Sequence, residues 1–542
     1  EAMDHLAMRA DRAAAATREL AIEHPETDEG REAAGRIALT DAERLRRAAS
    51  FERARDYASA ATELTALYGT PLAAEARFEW AKLQLERVRE DFDAAEKAFA
   101  ALAAEPGPFA EESMWLRARA LGRKGDVVAA LSAFAAYLKR HPKGRFAADA
   151  RFFSAFLQYE VGRYADAARA FSRLDDPAWR TSARWYHAWC LYLAGDRKAA
   201  VPALDAIAAA DPRGNEGRKA AYWAARALEK KSPSEAAARM QRLVTARPHD
   251  WYGLMARRRA PKRFANIAAL PGAPSPPDPP VPIVFAGPVA EIRGLATAGL
   301  PDLARRALAT LSPLLRSTDG WALEATLAAQ IGDAERQMRG TLTRHHALFV
   351  DPPRAEDAPI WRAAWPRGHA DAVNTAAGRF GVAPSLVFAF IRKESAFAPE
   401  AISPAHAVGL MQLLPRTARA IQEARGLGDQ PAPDLFEPAR NIELGTWYVA
   451  ALQHRFGGAL PLVAAAYNAG PSAVRQWAAG RARVATDLFV DTIPFRETRQ
   501  YVKRMVETQV LYEMVHGGRD LNTAAEVLPV ELDLTIAPGV DF

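Results

Sequence analysis

The segment RDYASAATEL, residues 55–64, indicates the fold class because its pattern recurs along the front half of the chain. Each copy has a turn residue, then alanines where a second helix must approach closely, then a large apolar residue nine positions after its start. Such a period is typical of helical hairpins that stack into a solenoid, since one hairpin cannot bury its apolar face alone. The later copies start 35, 35, 37 and 33 residues apart: EDFDAAEKAF from Glu90, GDVVAALSAF from Gly125, GRYADAARAF from Gly162 and GDRKAAVPAL from Gly195.

The sequence therefore predicts an all-α protein that begins with an α-superhelical, tetratricopeptide-like domain over residues 1–270. The composition agrees, because the alanine-rich chain of 542 residues favours helices over strands. A proline-rich segment, PGAPSPPDPPVP, predicts an extended connector over residues 271–283. Helical patterning then resumes and predicts a small helical linker domain over residues 284–357, followed by a last domain over residues 358–542.

Charge and cysteine content narrow the function classes. The net charge of +6 is a weak field over this length, so charge does not predict a nucleic-acid partner. The chain has one cysteine, Cys190, so an intramolecular disulfide is excluded. Because Cys190 lies in the apolar segment WYHAWCLYLAG, a buried structural residue is favoured over a catalytic thiol. The sequence contains no run of 18 apolar residues, so it predicts no membrane span. The opening EAMDHLAMRA lacks the basic and apolar parts of a secretory leader.

A carboxylate follows a run of large apolar side chains in SLVFAFIRKESAF, residues 385–397. Pro384 and Ser385 predict a helix start, with the serine as the cap, and the apolar run predicts a buried helix. Glu394 at its end would be desolvated, which raises the pKa of a carboxyl group and suits a general acid. The adjacent Arg392 and Lys393 support another interpretation, an exposed, ion-paired Glu394 at a fraying helix end, and on this stretch alone that interpretation is favoured.

Three further stretches change the balance towards a sugar-binding cleft. VGLMQLLP (408–415) predicts a tight turn at Gly409, followed by apolar and amide side chains. AAAYNAGPSAV (464–474) places an aromatic and an amide side chain before a glycine-proline turn. DTIPFRETRQYV (491–502) offers a second carboxylate and a tyrosine four residues later on the same helical face. Aromatic stacking surface and amide hydrogen bonds are usual in such clefts.

RKESAF, SPAHAVGLMQLLPRTA, AAYNAGP and DLFVDTIPFRETRQYVKRM, in that order, resemble the catalytic domain of the soluble lytic murein transglycosylases. The order of superhelix, linker domain and C-terminal domain is similar to the large soluble form of this family. The resemblance implies a lysozyme-like catalytic domain over residues 358–542. It also implies a periplasmic enzyme that cleaves peptidoglycan between N-acetylmuramic acid (MurNAc) and N-acetylglucosamine (GlcNAc) and leaves a 1,6-anhydro-MurNAc end.

The resemblance also implies roles for individual residues. Glu394 matches the single catalytic acid/base, and no second acid is marked as a nucleophile. The matching substrate-binding positions are Ser395, Met411, Gln412, Tyr467, Asn468, Glu497 and Tyr501. The chain departs from the family pattern at His406 and Ser472, which stand where the family often has glycine in a turn, so these two positions put the shape of the loops in question.

Neither a metal nor another cofactor is predicted, because the chain contains no HExxH, P-loop or dinucleotide-binding motif in a suitable context. Two alternatives to the transglycosylase remain: a muramidase hydrolase that uses water as acceptor, and a non-enzymatic helical-repeat scaffold. The expected partners are peptidoglycan glycan strands and other cell-wall enzymes, not nucleic acid.

Overall fold

The computed structural model describes residues 2–86, 91–260, 263–270, 278–317, 320–428 and 430–539. These residues belong to two compact units, Glu1–Lys230 and Lys231–Phe542. Most of the predicted connector, residues 271–277, lies outside the described residues, and the predicted boundaries at 270, 283 and 357 stay predictions. Among the described residues, no helix combines the length and the apolar character that a bilayer span needs.

The first unit is a series of antiparallel helices. Its helices are α1 (Ala2–Glu23), α2 (Asp28–Gly35), α3 (Asp41–Arg53), α4 (Tyr57–Ala66), α5 (Ala73–Glu86), α6 (Phe92–Ala104), α7 (Ala110–Lys124), α8 (Val127–Arg140), α9 (Ala147–Glu160), α10 (Tyr164–Ser172), α11 (Arg180–Leu193), α12 (Arg197–Ala210) and α13 (Asn215–Leu228). From α3 onward, consecutive helices pack on one another in chain order. This arrangement confirms the predicted stack of helical hairpins.

The five repeat copies explain how the hairpins pack. The sixth position of every copy is an alanine with no exposed surface: Ala60, Ala95, Ala130, Ala167 and Ala200. The last position is a large apolar residue that is at most 2% exposed: Leu64, Phe99, Phe134, Phe171 and Leu204. The small residue lets the neighbouring helix approach, and the large one fills the space between hairpins. In four copies an aspartate caps the second helix by accepting a backbone N–H, as Asp126 does from Ala129.

The second unit is also helical. Its helices are α14 (Pro233–Ala246), α15 (Trp251–Arg259), α16 (Ala286–Thr297), α17 (Pro301–Ser317), α18 (Trp321–Gln330), α19 (Ala334–Arg344), α20 (Ala358–Ala364), α21 (Ala370–Phe380), α22 (Pro384–Glu394), α23 (Pro415–Ala424), α24 (Pro438–Arg455), α25 (Leu460–Ala469), α26 (Pro471–Ala478), α27 (Thr486–Thr492), α28 (Arg496–Val515) and α29 (Leu521–Ala524). Short 3₁₀ turns lie at Ile283–Phe285, Leu348–Val350, Ala355–Asp357 and Ala525–Val527. Two short strands, β1 (Arg483–Ala485) and β2 (Glu531–Asp533), pair antiparallel with Val484 opposite Leu532. The predicted all-α class is confirmed.

Helix α28 is the central helix around which the candidate site is built. Most of its residues are buried, and both α22 and α25 pack against it. Because α22 carries Glu394 and α25 carries Tyr467, this packing brings three separate sequence motifs to one place. The core of the second unit therefore fixes the relative positions of the predicted site residues.

Candidate active site

Glu394 is the last residue of α22, as the apolar run predicted. Six consecutive residues, Leu386–Ile391, are buried, so the helix is surrounded by protein until its final turn. The prediction that Ser385 caps the helix is wrong. The cap position is Ala383, with Pro384 as the first helical residue, and the Ser385 hydroxyl instead donates a hydrogen bond to the Glu513 carboxylate on α28. This bond ties the start of α22 to α28.

The environment of Glu394 raises the pKa of its carboxyl group from 4.5 to about 7. Burial is the largest cause, since it penalises the charged form, and the nearby charge of Glu497 adds to it. A hydrogen bond from the Tyr501 hydroxyl to Oε1 of Glu394 and the positive charge of Lys393 oppose the rise. The carboxyl group therefore exchanges its proton near neutral pH, as a residue that serves as both acid and base must.

The alternative of an exposed, ion-paired Glu394 does not describe this structure. The Arg392 guanidinium donates to the Ala364 carbonyl and lies 4.2 Å from the ring centroid of Trp365. The Lys393 ammonium lies 5.5 Å from the ring centroid of Tyr501. Both cations thus have aromatic neighbours, and Glu394 has a tyrosine hydroxyl as its hydrogen-bond donor.

Two tyrosines flank the carboxyl group. The pKa of Tyr501 is raised well above its usual value by burial and by the charge of Glu394, and the same two causes raise the pKa of Tyr467. Tyr467 packs on Phe390 of α22 with ring centroids 4.5 Å apart, and its hydroxyl donates to the Met411 carbonyl at 2.7 Å. Both hydroxyls therefore stay protonated, and both act as hydrogen-bond donors.

The loop that carries Met411 and Gln412 is held by Asn441, a residue that sequence reasoning missed. Asn441 has no exposed surface, accepts the Met411 N–H at 2.8 Å and donates to the Val408 and Leu435 carbonyls at 2.9 Å each. The only sequence feature that could have indicated Asn441 was an amide side chain on the buried face of α24. Gly409 has a φ of +78°, and a Cβ there would lie 2.2 Å from the Leu435 carbonyl oxygen, so the predicted tight turn is confirmed.

Gln412 and Met411 use much of their bonding capacity within this loop. The Gln412 side-chain amide donates to the Ala401 and Gly409 carbonyls at 3.0 and 2.9 Å. The Met411 side chain has no exposed surface. Met411 thus presents its carbonyl to Tyr467 rather than its side chain to solvent.

The segment after Glu394 contains backbone strain that the sequence does not indicate. Ala396 and Phe397 have φ values of +54° and +70°, and His406 and Gln412 have +62° and +49°. A left-handed backbone conformation costs a residue other than glycine about 1–3 kcal/mol, and residues in this conformation cluster at functional sites. Of the two departures from the family pattern, His406 adopts the glycine-like conformation, whereas Ser472 lies in the first turn of α26 and needs none.

The remaining predicted residues lie around the same place. Ser395 is 7% exposed and its hydroxyl donates to the Ile391 carbonyl at 3.2 Å. Asn468 accepts a hydrogen bond at 2.6 Å from the hydroxyl of Thr498, a second residue that sequence reasoning missed. Glu497 is exposed at the start of α28. Beside it, Phe495 is 54% exposed and packs edge to face on Trp477, with ring centroids 5.5 Å apart.

The comparison with protein families agrees with this geometry. Residues 371–490, which include Glu394, match the family described as the transglycosylase SLT domain. The predicted resemblance to soluble lytic murein transglycosylases is therefore confirmed for this part of the chain.

Individual relatives support the same class. The soluble lytic murein transglycosylase of Salmonella typhimurium is 38% identical over 141 residues, which are 26% of this chain and 22% of that protein. Its counterpart in Escherichia coli K12 is 38% identical over 137 residues, 25% of this chain and 21% of that protein. The matched segments thus span less than a third of these relatives.

A solved structure extends the likeness to the whole fold. An inactive mutant of the lytic transglycosylase Slt from Pseudomonas aeruginosa superposes with a TM-score of 0.59 at 23% identity, over 95% of this chain and 80% of that one. At this identity the likeness concerns the fold alone, over most of this chain.

Proposed function

We propose that this protein is a lytic transglycosylase that cleaves the MurNAc–GlcNAc β-1,4 bond of peptidoglycan and leaves a 1,6-anhydro-MurNAc end. The observation that carries the proposal is the state of Glu394. It is a desolvated carboxyl group that exchanges its proton near pH 7, inside the segment that matches the transglycosylase SLT domain. The named relatives act on murein, and this activity is proposed for the present chain.

In the first step, protonated Glu394 donates its proton to the glycosidic oxygen as the bond from that oxygen to C1 of MurNAc breaks. The N-acetyl oxygen of the same sugar stabilises the positive charge that develops at C1, as in substrate-assisted glycosidases. The raised pKa keeps Glu394 protonated at the start of this step. The leaving GlcNAc hydroxyl retains the donated proton.

In the second step, Glu394 is a carboxylate and accepts the proton of the C6 hydroxyl. The C6 oxygen forms a bond to C1, which closes the anhydro ring and returns Glu394 to its protonated form. The attack is intramolecular, so it benefits from a high effective concentration and needs no water. Tyr501 is positioned to stabilise the carboxylate between the steps, because its hydroxyl donates to Oε1.

The arrangement around Glu394 favours one carboxylate over two. Glu497 is close enough to raise the pKa of Glu394, yet it is exposed, which suits a positioning role. We assign Glu497 to substrate positioning, together with Ser395, Gln412 and Asn468. Tyr467 and Met411 act as a pair, since the Met411 carbonyl fixes the Tyr467 hydroxyl. The exposed pair of Phe495 and Trp477 offers a further surface for a pyranose ring.

The chemical form of the new chain end tests the proposal. Purified peptidoglycan digested with the protein should release anhydro-muramyl products, read by mass spectrometry. Reducing-end products, heavier by one water, would instead establish the alternative of a muramidase hydrolase. If no products were released, the non-enzymatic scaffold would be the interpretation to pursue.

The setting of the reaction follows from its substrate. Peptidoglycan glycan strands are the proposed ligand, so the proposed location is the periplasm, and other cell-wall enzymes are the proposed partners. No nucleic-acid role and no metal or other cofactor enters the proposal.

The pH dependence of the reaction provides a further prediction. Because the first step requires protonated Glu394, kcat/KM should fall as the pH rises through about 7. Tyr501→Phe removes a hydrogen bond that lowers the pKa of Glu394, so the alkaline limb of the profile should move upward by roughly one pH unit. The measurement is the initial rate of muropeptide release from pH 5 to 9. An unchanged alkaline limb in Tyr501→Phe would contradict the assignment of that limb to Glu394.

A further inference from the structure

Asn441 uses its whole side-chain amide to hold backbone groups. Its Oδ1 accepts the Met411 N–H at 2.8 Å, and its Nδ2 donates to the Val408 and Leu435 carbonyls, each at 2.9 Å. Both donors and the acceptor atom of the amide are therefore engaged, and the side chain has no exposed surface. Rotation of the amide would leave buried backbone groups unpaired, so α24 fixes the position of the Met411 peptide unit.

A second feature of α24 fixes the side chain of the same methionine. Gly445 follows Asn441 by four positions and so lies on the same face of the helix. A Cβ on Gly445 would lie 2.4 Å from Sδ and 2.8 Å from Cβ of Met411. The Met411 side chain therefore occupies the space that a larger residue in place of Gly445 would need. Helix α24 thus holds both the backbone and the side chain of Met411.

The Met411 carbonyl, held in this way, receives the proton of the Tyr467 hydroxyl. The hydroxyl donates to this carbonyl at 2.7 Å. A phenol has one O–H to donate, so this bond leaves no proton for a second acceptor. The hydroxyl also keeps its proton, because burial and the charge of Glu394 both raise its pKa. The Tyr467 proton is therefore committed to the loop.

Glu394 is the acceptor that the Tyr467 hydroxyl would otherwise serve. The Tyr467 ring packs on Phe390 with ring centroids 4.5 Å apart, and Phe390 lies one turn before Glu394 on the same face of α22. The charge of Glu394 contributes to the raised pKa of Tyr467, so the two side chains interact. Glu394 nevertheless receives its hydrogen bond from the hydroxyl of Tyr501.

We propose that Asn441 is a positioning residue for the proposed reaction, which keeps the Tyr467 hydroxyl from donating to Glu394. This inference rests on the proposed function. Asn441 acts through Met411, whose carbonyl it holds in front of the Tyr467 hydroxyl. A second hydrogen bond donated to Glu394 would stabilise the carboxylate and make Glu394 a poorer proton donor. The two tyrosines beside Glu394 thus have different roles, and α24 determines which of them donates to it.

The titratable side chains that act on Glu394 and Tyr467 lie on α22, α24 and α28: Lys393, Tyr448, Glu497 and Tyr501. Helix α21 also packs on α22, and its charged residues, Asp371 and Arg379, are exposed. The test variants change none of these groups. A displaced pH–rate profile in those variants therefore reports on the hydrogen bond of the Tyr467 hydroxyl.

Asn441→Ala is expected to move the alkaline limb of kcat/KM to lower pH by roughly one pH unit, opposite in direction to Tyr501→Phe. The variant releases the Met411 peptide unit, so the Tyr467 hydroxyl donates to Glu394 and lowers the pKa of that carboxyl group. Adding Tyr467→Phe to Asn441→Ala removes the hydroxyl and should return the limb to its wild-type position. The measurement is the initial rate of muropeptide release over the pH range used for Tyr501→Phe.

Two further variants keep the test independent of the folding of Asn441→Ala. Gly445→Ala leaves every polar group in place but displaces Met411, and it should move the limb in the same direction. Gln422→Ala is the matched control, because Gln422 is a fully buried amide on α23 that donates to the Pro431 carbonyl at 3.2 Å, outside the site. It should lower the melting temperature without moving the limb.

The pKa of Glu394 can also be followed without turnover. The infrared band of its protonated carboxyl group appears in the difference between each protein and the same protein with Glu394→Gln. The midpoint of this titration should fall by roughly one pH unit in Asn441→Ala. If the midpoint falls but no products are released by the wild type, the proposed function fails while the action of Asn441 on Glu394 holds.

Three results would overturn the positioning role while leaving the proposed function intact. The first is an unmoved limb and midpoint in folded Asn441→Ala and Gly445→Ala. The second is a displacement that persists after Tyr467→Phe is added. The third is a rise of the limb in Tyr467→Phe alone, since this would mean that the Tyr467 hydroxyl already donates to Glu394 in the wild type.

Discussion

Glu394→Gln is expected to slow the release of muropeptides from peptidoglycan by about 10²–10⁴-fold, the usual contribution of a positioned general acid. Glutamine preserves the shape of the side chain and can still accept the Tyr501 hydrogen bond, but it can neither donate a proton to the glycosidic oxygen nor remove one from the C6 hydroxyl. Both proposed steps lose their proton carrier. The measurement is the initial rate of product release at pH 6, where the wild-type carboxyl group is mostly protonated.

Two controls separate a chemical loss from unfolding. Glu400→Gln changes an exposed carboxylate six residues further on and should retain wild-type activity. The folded pKa of Glu394 lies above its unfolded value, so ionisation of Glu394 costs stability as the pH rises from 4.5 to about 7. Glu394→Gln removes this cost and should melt at least as high as the wild type at pH 8. Activity within tenfold of the wild type in a folded Glu394→Gln would exclude Glu394 as the acid/base.

The repeat domain could be predicted because its packing rule is local. One alanine and one large apolar residue per hairpin recur at fixed positions, and each copy buries them in the same way. The helices of the predicted linker segment include a further hairpin that the repeat pattern does not identify, although α19 begins with the same aspartate cap, from Asp333 to the Arg336 N–H. Its copy lacks the alanine at the sixth position, so the pattern of the first five copies does not extend to it.

The candidate site could be predicted only in part, because much of its geometry depends on distant contacts. Glu394 and Tyr501 each follow from a local helical pattern and a motif. The hydrogen bond between them joins residues 107 positions apart, and no pattern in either motif indicates it. The left-handed turn at Ala396 and Phe397 could not be predicted, since neither residue type favours that conformation. Surrounding structure imposes it.

A buried polar cluster in the second unit shows the same limit. Lys503 on α28 forms an ion pair with Asp491 on α27 and donates to the Tyr252 hydroxyl on α15 at 2.7 Å. All three residues are at most 6% exposed. Tyr252 lies within the predicted superhelical domain, so nothing in the sequence indicated a contact 251 positions away. The cluster holds α15 and α27 against the helix that carries Tyr501, two residues before Lys503.

Asp491→Ala is expected to lower the free energy of unfolding by about 3–5 kcal/mol, because it leaves the Lys503 ammonium buried without its counter-ion. The measurement is urea unfolding of the full chain at pH 7, and the unfolding is monitored with a signal that reports on the second unit. Asp302→Ala provides the matched control. It breaks a surface ion pair with Arg305 in which the aspartate is 82% exposed, and it should cost under about 1 kcal/mol.

The double variant Asp491→Leu with Lys503→Met tests the physical cause. If the loss in Asp491→Ala comes from the uncompensated charge, replacing both partners by apolar residues of similar volume should recover most of the stability. If the double variant is as unstable as the single one, the hydrogen bond to Tyr252 and the packing around it are what hold α28. In that case the position of Tyr501 against Glu394 would also depend on α15, and the alkaline limb of the pH–rate profile should move in the double variant as it does in Tyr501→Phe.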